Sequence, residues 1–201
     1  MGWYAISDFK DYRTITNDDD NVVIAAIAEA AEGWLNREAG TVIVTDATST
    51  RYIDATGLHI EGRTLWLSHV GDCAEITEIT NGDGATVDSA DYIMTPRAVS
   101  WSDPTIRKVT LKASSGLVWT YDDDPEQAIA VEGYWSVYKK DSVPAEILGL
   151  MRELVNFGYT KRDSQVFDTV AIPEAGVVTI PDGFPRSAGR IVKTLRNRNL
   201  I

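Results

Sequence analysis

Few residues in this chain have the chemistry for catalysis or tight coordination. There is a single cysteine, Cys73, and there are two histidines, His59 and His69. One thiol rules out an internal disulfide and a cysteine-rich zinc site. No histidine motif accompanies Cys73, so it is expected to be a buried structural thiol rather than a nucleophile. Both histidines lie in strand-like stretches, and their spacing does not say whether they meet. A structural role is expected for each. Two aspartate runs stand out, Asp18 to Asp20 in "NDDDN" and Asp122 to Asp124 in "YDDDP". Calcium loops alternate their ligands and close with a glutamate, which neither run does. The first run reads as a helix N-terminus and the second as a solvated loop. The sequence holds no G-x-G-x-x-G, Walker A or G-x-S-x-G pattern, and "RSAGR" is not a phosphate loop. A carboxylate pair for glycoside hydrolysis is defined by distance in space, so the sequence neither supports nor opposes one. Neither a catalytic residue nor a cofactor or metal site is expected.

Six tryptophans, Trp3, Trp34, Trp66, Trp101, Trp119 and Trp135, are the next candidates. On one reading Trp66, Trp101 or Trp119 decorates a β-sandwich that binds a glycan. On the other they pack, because most lie within or beside apolar-patterned elements.

The C-terminal segment is unlike the rest of the chain. The formal net charge is -11, yet "PRSAGRIVKTLRNRNLI" carries Arg186, Arg190, Lys193, Arg196 and Arg198 and no acid. Ile191, Val192 and Leu195 form a narrow apolar stripe among these cations. A helix of about three turns is marginal alone in water, so this one either finds a surface to lie on or stays a solvated, disordered end. Charge steering and apolar anchoring together make Arg190, Ile191, Val192, Lys193, Leu195 and Arg196 a candidate docking site for a partner with an acidic groove.

The elements that would position these residues follow from periodicity. "TNDDDNVVIAAIAEAAEGWLNREAG" predicts a helix over 16–39, capped by Thr16 or Asn17 and ended by Gly40. From Thr41 to Tyr138 the pattern is β-rich. "TVIVT", "LHIEG", "TLWLS", "AEITEIT", "DYIMT", "IRKVTLK", "LVWTY" and "AIAVEGYW" read as short strands, and "NGDG" at 81–84 as a hairpin turn. A second helix is predicted over 142–158, with Ser142 as cap, Pro144 in the first turn and Gly158 as its stop. A strand pair and the basic arm fill 165–201. The expected fold class is α+β: an N-terminal helix and a central-to-late helix packed with a small antiparallel β-sandwich or barrel, plus a C-terminal arm.

Length and composition set the outer bounds. The chain has 201 residues, 44% of them hydrophobic and 24% charged, which suits one globular domain with extensions. Its acidity disfavours general binding to nucleic acid, because phosphates are repelled. "MGWYAISDF" lacks the basic start and apolar run of a signal peptide, and no run approaches a membrane span. The expectation is a soluble protein made in a reducing cytoplasm.

Several stretches also fall in a familiar order. "NDDDNVVIAAIAEAAEGWL" is followed by "ITEITNGDGATVDSADYIM" with Ile76, Ile79, Asp83, Gly84, Asp91 and Tyr92. Next comes "IAVEGYW" with Gly133 and Tyr134, then "VPAEILGLMRELVNFGY" with Val143 and Pro144. Over roughly residues 5–163 this resembles the long form of the head–tail connector (adaptor) family of tailed bacteriophages and related prophages and gene-transfer particles. After its second helix that family commonly has Tyr, then Arg and an acid; here "GYTKRD" gives Tyr159, Arg162 and Asp163 at altered spacing, and 165–184 find no counterpart. The resemblance implies an adaptor body over 1–164 and an appended 165–201. It implies a structural virion protein, not an enzyme, made in the host cytoplasm and placed at the head–tail interface. Such proteins form a ring, commonly a dodecamer, under the portal protein. The ring extends the channel through which DNA passes without specific binding, and offers a platform to the next neck or tail-completion protein. A terminal segment commonly docks to the portal, which would give the basic arm its partner.

Overall fold

Alternating burial along Ile129–Tyr134 sets the centre of one sheet. Ile129, Val131 and Gly133 point inward and Ala130, Glu132 and Tyr134 lie at intermediate depth, the period-two signature of a strand. In the computed structural model, which describes residues 2–98, 103–164 and 186–197, this strand is β8. The others are β1 (Val44–Thr45), β2 (Ser49–Ile53), β3 (Ile60–Glu61), β4 (Thr64–Trp66), β5 (Glu75–Thr80), β6 (Tyr92–Thr95), β7 (Lys108–Leu111) and β9 (Tyr138–Lys139). The helices are α1 (Ile6–Arg13), α2 (Asn21–Ala39), α3 (Ala145–Ser164) and α4 (Arg186–Asn197). The chain is therefore α+β, as its patterning predicts.

The chain divides into two compact units, one from residues 1–40 and 143–201 and the other from Thr41–Ser142. The β unit holds two antiparallel sheets, β2-β8-β5 and β3-β4-β7-β6, and a short parallel pair, β1-β9. Its core runs through Ile53, Leu65, Leu67, Ile79, Val109, Leu111, Ile129 and Val131, with Trp119 and Trp135. No closed barrel forms among the described residues. Strand β5 carries a bulge between Ile76 and Glu78 where it runs along β8. There Gly133 is required sterically: a Cβ on it would lie 2.3 Å from the carbonyl oxygen of Glu75.

The helical unit buries Ile24, Ile27, Ala28, Ala31 and Leu35 of α2, and Ile147, Leu150, Met151, Leu154 and Val155 of α3. The spacing i, i+3, i+4, i+7 is the core face of a helix. Val23, Ala30 and Trp34, which share the helical spacing of Ile27, sit at the margin of the core face at intermediate depth.

Several expected boundaries are corrected. The long helix expected from residue 16 is α2 and starts at Asn21, and its cap residue Asp20 makes no side-chain capping bond, because α3 recruits that carboxylate. Gly40 does close the helix, in left-handed geometry at φ 72°. Residues 6–13, left unassigned by periodicity, form α1, whose buried residue is Phe9. Its ring meets Tyr159 edge to face, centroids 5.4 Å apart. The second long helix covers 145–164 rather than 142–158. Ser142 belongs to a preceding single turn, and Gly158 lies inside the helix. "LVWTY" joins no ladder beyond one bridge between Gly82 and Tyr121, while β2 and β9 were not expected. The chain does reverse at 81–85, where Asn81 and Ala85 are linked through the Asn81 N–H. The strand pair expected over 165–184 lies outside the described residues.

Candidate docking surfaces

The basic arm supplies the first surface. Helix α4 packs on α2, burying Ala188, Val192 and Leu195 at the spacing i, i+4, i+7. Ile191 sits at the edge of that stripe, and Arg190, Lys193 and Arg196 are exposed. The surface this short helix needs is thus provided by its own chain. Burying an aliphatic side chain contributes about 1.5–3 kcal/mol, so Val192 and Leu195 are main contributors to its docking on α2. Both were expected to face a partner; here they face α2. No acid stands in the first turn of α4, and none of its exposed cations joins an ion pair among the described residues. Among the described residues these cations have no acidic partner, so the helix presents them as a positive face.

A second surface lies where α1 ends beside α3. Tyr12, Arg13, Ile15 and Tyr159 line an open groove of about 590 Å³. Thr14, between the lining residues, adopts left-handed geometry at φ 56°, and its N–H bonds back to Asp11. A β-branched residue in that region costs on the order of 1–3 kcal/mol. The wall behind the groove is tied down. Arg162 donates to Asp20 at 2.7 Å and Tyr159 donates to the same carboxylate. These bonds, the Arg162 bond first, hold the Asp20 carboxyl below its ordinary range. Arg152 stacks over the Tyr12 ring at 5.4 Å. Arg13 is exposed and joins no ion pair among the described residues. The groove is therefore lined by two tyrosines, an isoleucine and a cation, with more polar than apolar surface. Periodicity missed it because α1 is only eight residues long and buries just Phe9.

Most of the remaining chemical candidates are engaged within the fold. Cys73 is buried, and desolvation pushes its thiol up to about 12. His59 and His69 do meet, edge to face with centroids 5.9 Å apart. Among the described residues, however, no group of three or more His, Cys, Asp or Glu is placed to hold a metal ion. The first aspartate run is divided among different partners. Asp18 accepts from Lys10 at 2.7 Å and from Asn21, Asp19 accepts from Asn17, and Asp20 serves α3. Asp122, Asp123 and Asp124 are exposed in a loop. Trp3, Trp119 and Trp135 are buried, and Trp66 is covered by Lys108 at 4.8 Å. Trp101 lies outside the described residues, so among these no open row of tryptophans faces solvent. No helix is long and apolar enough to cross a membrane among the described residues.

Two solved structures are similar to this one. The neck of an empty GTA (gene transfer agent) particle computed with C6 symmetry matches at 10% identity and a TM-score of 0.46, over 90% of this chain and 92% of that one. The neck of a native GTA particle computed with C12 symmetry matches at 11% identity and a TM-score of 0.47, over 90% and 93% of the two chains. Likeness at this level assigns no function. No family model matches the sequence, and no curated protein matches it.

Proposed function

We propose that this chain is a structural virion protein, one copy of a head–tail connector ring that sits beneath the portal of a tailed-phage-like particle. The observation that carries the reading is the order of the adaptor-like stretches. In the fold they fall on α2, on β5 with its turn and β6, on β8, and on α3. These elements build the two units rather than any pocket for chemistry. The ring would extend the DNA channel and present a platform to the next neck or tail protein. The net charge of -11 suits that role, since an acidic wall repels phosphate over about a Debye length, ~8–10 Å at ordinary salt.

In this reading α4 is the portal-docking element. Arg190, Lys193 and Arg196 meet an acidic portal surface, Ile191 adds apolar contact at the rim, and Val192 and Leu195 seat the helix on α2. Binding of purified portal to the full chain and to a truncation ending at Asp182 tests it. Loss of binding on truncation is expected. Replacing Arg190, Lys193 and Arg196 with Gln should slow association and flatten its salt dependence, because exposed charges act mainly on the on-rate. Unchanged affinity of the truncation would sink the docking role of α4. Electron micrographs of portal mixed with this protein test the ring itself, and an unaltered portal outline would overturn it.

A further inference from the structure

A closed ring of identical subunits is built from head-to-tail contacts, in which two different patches on each copy complement each other. Two accessible features of opposite charge stand on the two units of this chain. On the helical unit is the groove of Tyr12, Arg13, Ile15 and Tyr159. On the β unit is the loop at Tyr121, a residue 41% exposed and followed by exposed Asp122, Asp123 and Asp124. The backbone on either side of that loop is fixed. Thr120 N–H donates to the Asn81 side chain at 3.2 Å, Tyr121 bridges to Gly82, and Gln127 N–H donates to Asp54 at 2.9 Å. A loop held at both ends and presenting one aromatic ring beside carboxylates suits a groove lined by two tyrosines and an arginine.

We propose that the groove receives the Tyr121–Asp124 loop of a neighbouring copy, Tyr121 entering between Tyr12 and Ile15 while Asp122 or Asp123 pairs with Arg13. This inference rests on the ring reading and names the contact between copies. A groove and loop on every copy make the contact self-propagating. A single aromatic anchor with screened rim charges is weak in isolation, so the free protein is expected to stay monomeric until many copies are held side by side.

The test uses the full chain with Cys73 retained, since that thiol is buried. A tagged Arg13→Cys variant is mixed with an untagged Asp123→Cys variant at high concentration and low salt under a mild oxidant. A heterodimer forming in excess over that between Arg13→Cys and the control Ser114→Cys is expected. Adding Tyr121→Ala to the Asp123→Cys partner should slow cross-linking by about tenfold or more, the size of an anchor truncation. Heterodimer no greater than the control, or cross-linking indifferent to Tyr121→Ala, overturns the contact. A ring on the portal without excess cross-link overturns the contact and leaves the ring reading standing. Excess cross-link in a protein that forms no ring on the portal supports the contact and overturns that reading.

Discussion

Gly158 and Ile27 are in such close contact that a Cβ on the glycine would lie 2.7 Å from Cγ2 of the isoleucine. Here α3 crosses α2, and the absent side chain sets how near the helices come. Ala is favoured over Gly inside a helix by about 1 kcal/mol, but overpacking a buried site costs about 1–3. Ile27 is buried and its Cγ2 cannot swing away. Gly158→Ala is therefore expected to lower the melting temperature. In a double-mutant cycle Ile27→Ala should absorb most of that loss. A melting temperature raised by Gly158→Ala alone would show that the helices separate freely.

Glu32 is buried and accepts the backbone N–H of Tyr4 at 2.8 Å. Desolvation raises its pKa above the ordinary 4.5, opposed by N–H bonds from Tyr4 and Trp3. Between the ordinary and the raised value the folded chain binds more protons than the unfolded one, so stability falls as pH rises through that window. Glu32→Gln should stabilise the protein at pH 7 and lose its advantage once Glu32 is protonated in both states. Melting curves across pH check this; a variant less stable at neutral pH would mean that the N–H bonds outweigh desolvation.

Asp20 has the opposite sign. Its pKa is lowered chiefly by the Arg162 bond and next by Tyr159. Its contribution is present above the ordinary 3.8 and is lost as pH falls through the lower folded value. Asp20→Asn should be less stable than the parent at pH 7 and converge with it in acid. Parallel stability curves down to low pH would contradict the assignment.

The Cys73 thiol, buried and raised to about 12, should resist a thiol-reactive dye in the native protein near pH 8. It should react once the protein is unfolded, because the thiolate is the nucleophile. Fast labelling of native protein would mean that the β unit opens locally.

Calcium and magnesium favour several oxygens converging on one point, and the Asp18–Asp20 carboxylates are directed to different partners. Neither ion at sub-millimolar concentration should raise the melting temperature by many degrees, as tight binding to the folded state would.

What the sequence displays and what it hides have physical causes. The two long helices, the class and most strands were legible because their apolar residues repeat over many turns or pleats. Their ends were not: Thr16 and Asn17 look like caps, but the helix begins only after Asp20, whose carboxylate is claimed by Tyr159 and Arg162 of α3. Gly158 resembles a stop because its contact with Ile27 is non-local. Helix α1 escaped notice because Phe9 is its one buried residue, and β2 because most of "STRYI" faces outward. The basic arm was visible as a charge anomaly, whereas its seat on α2 was not, since a stripe does not say what it lies against. The groove beside Thr14 depends on a left-handed threonine and a tyrosine far along the chain, which no local pattern encodes.

The helical unit is made of two pieces, with the whole β unit inserted between them, and this fixes an order of events during synthesis. Helix α2 ends at Ala39 and α3 begins at Ala145. At ~5–20 residues per second, on the order of 5–20 s passes before the first residues of α3 follow α2 out of the ribosome. Throughout that interval Ile24, Ile27 and Leu35 have no α3 to cover them, while the intervening β unit, contiguous in sequence, is free to fold. Helices α1 and α2 thus wait for α3 to complete their unit, and over that interval their apolar faces are open to chaperones and proteases.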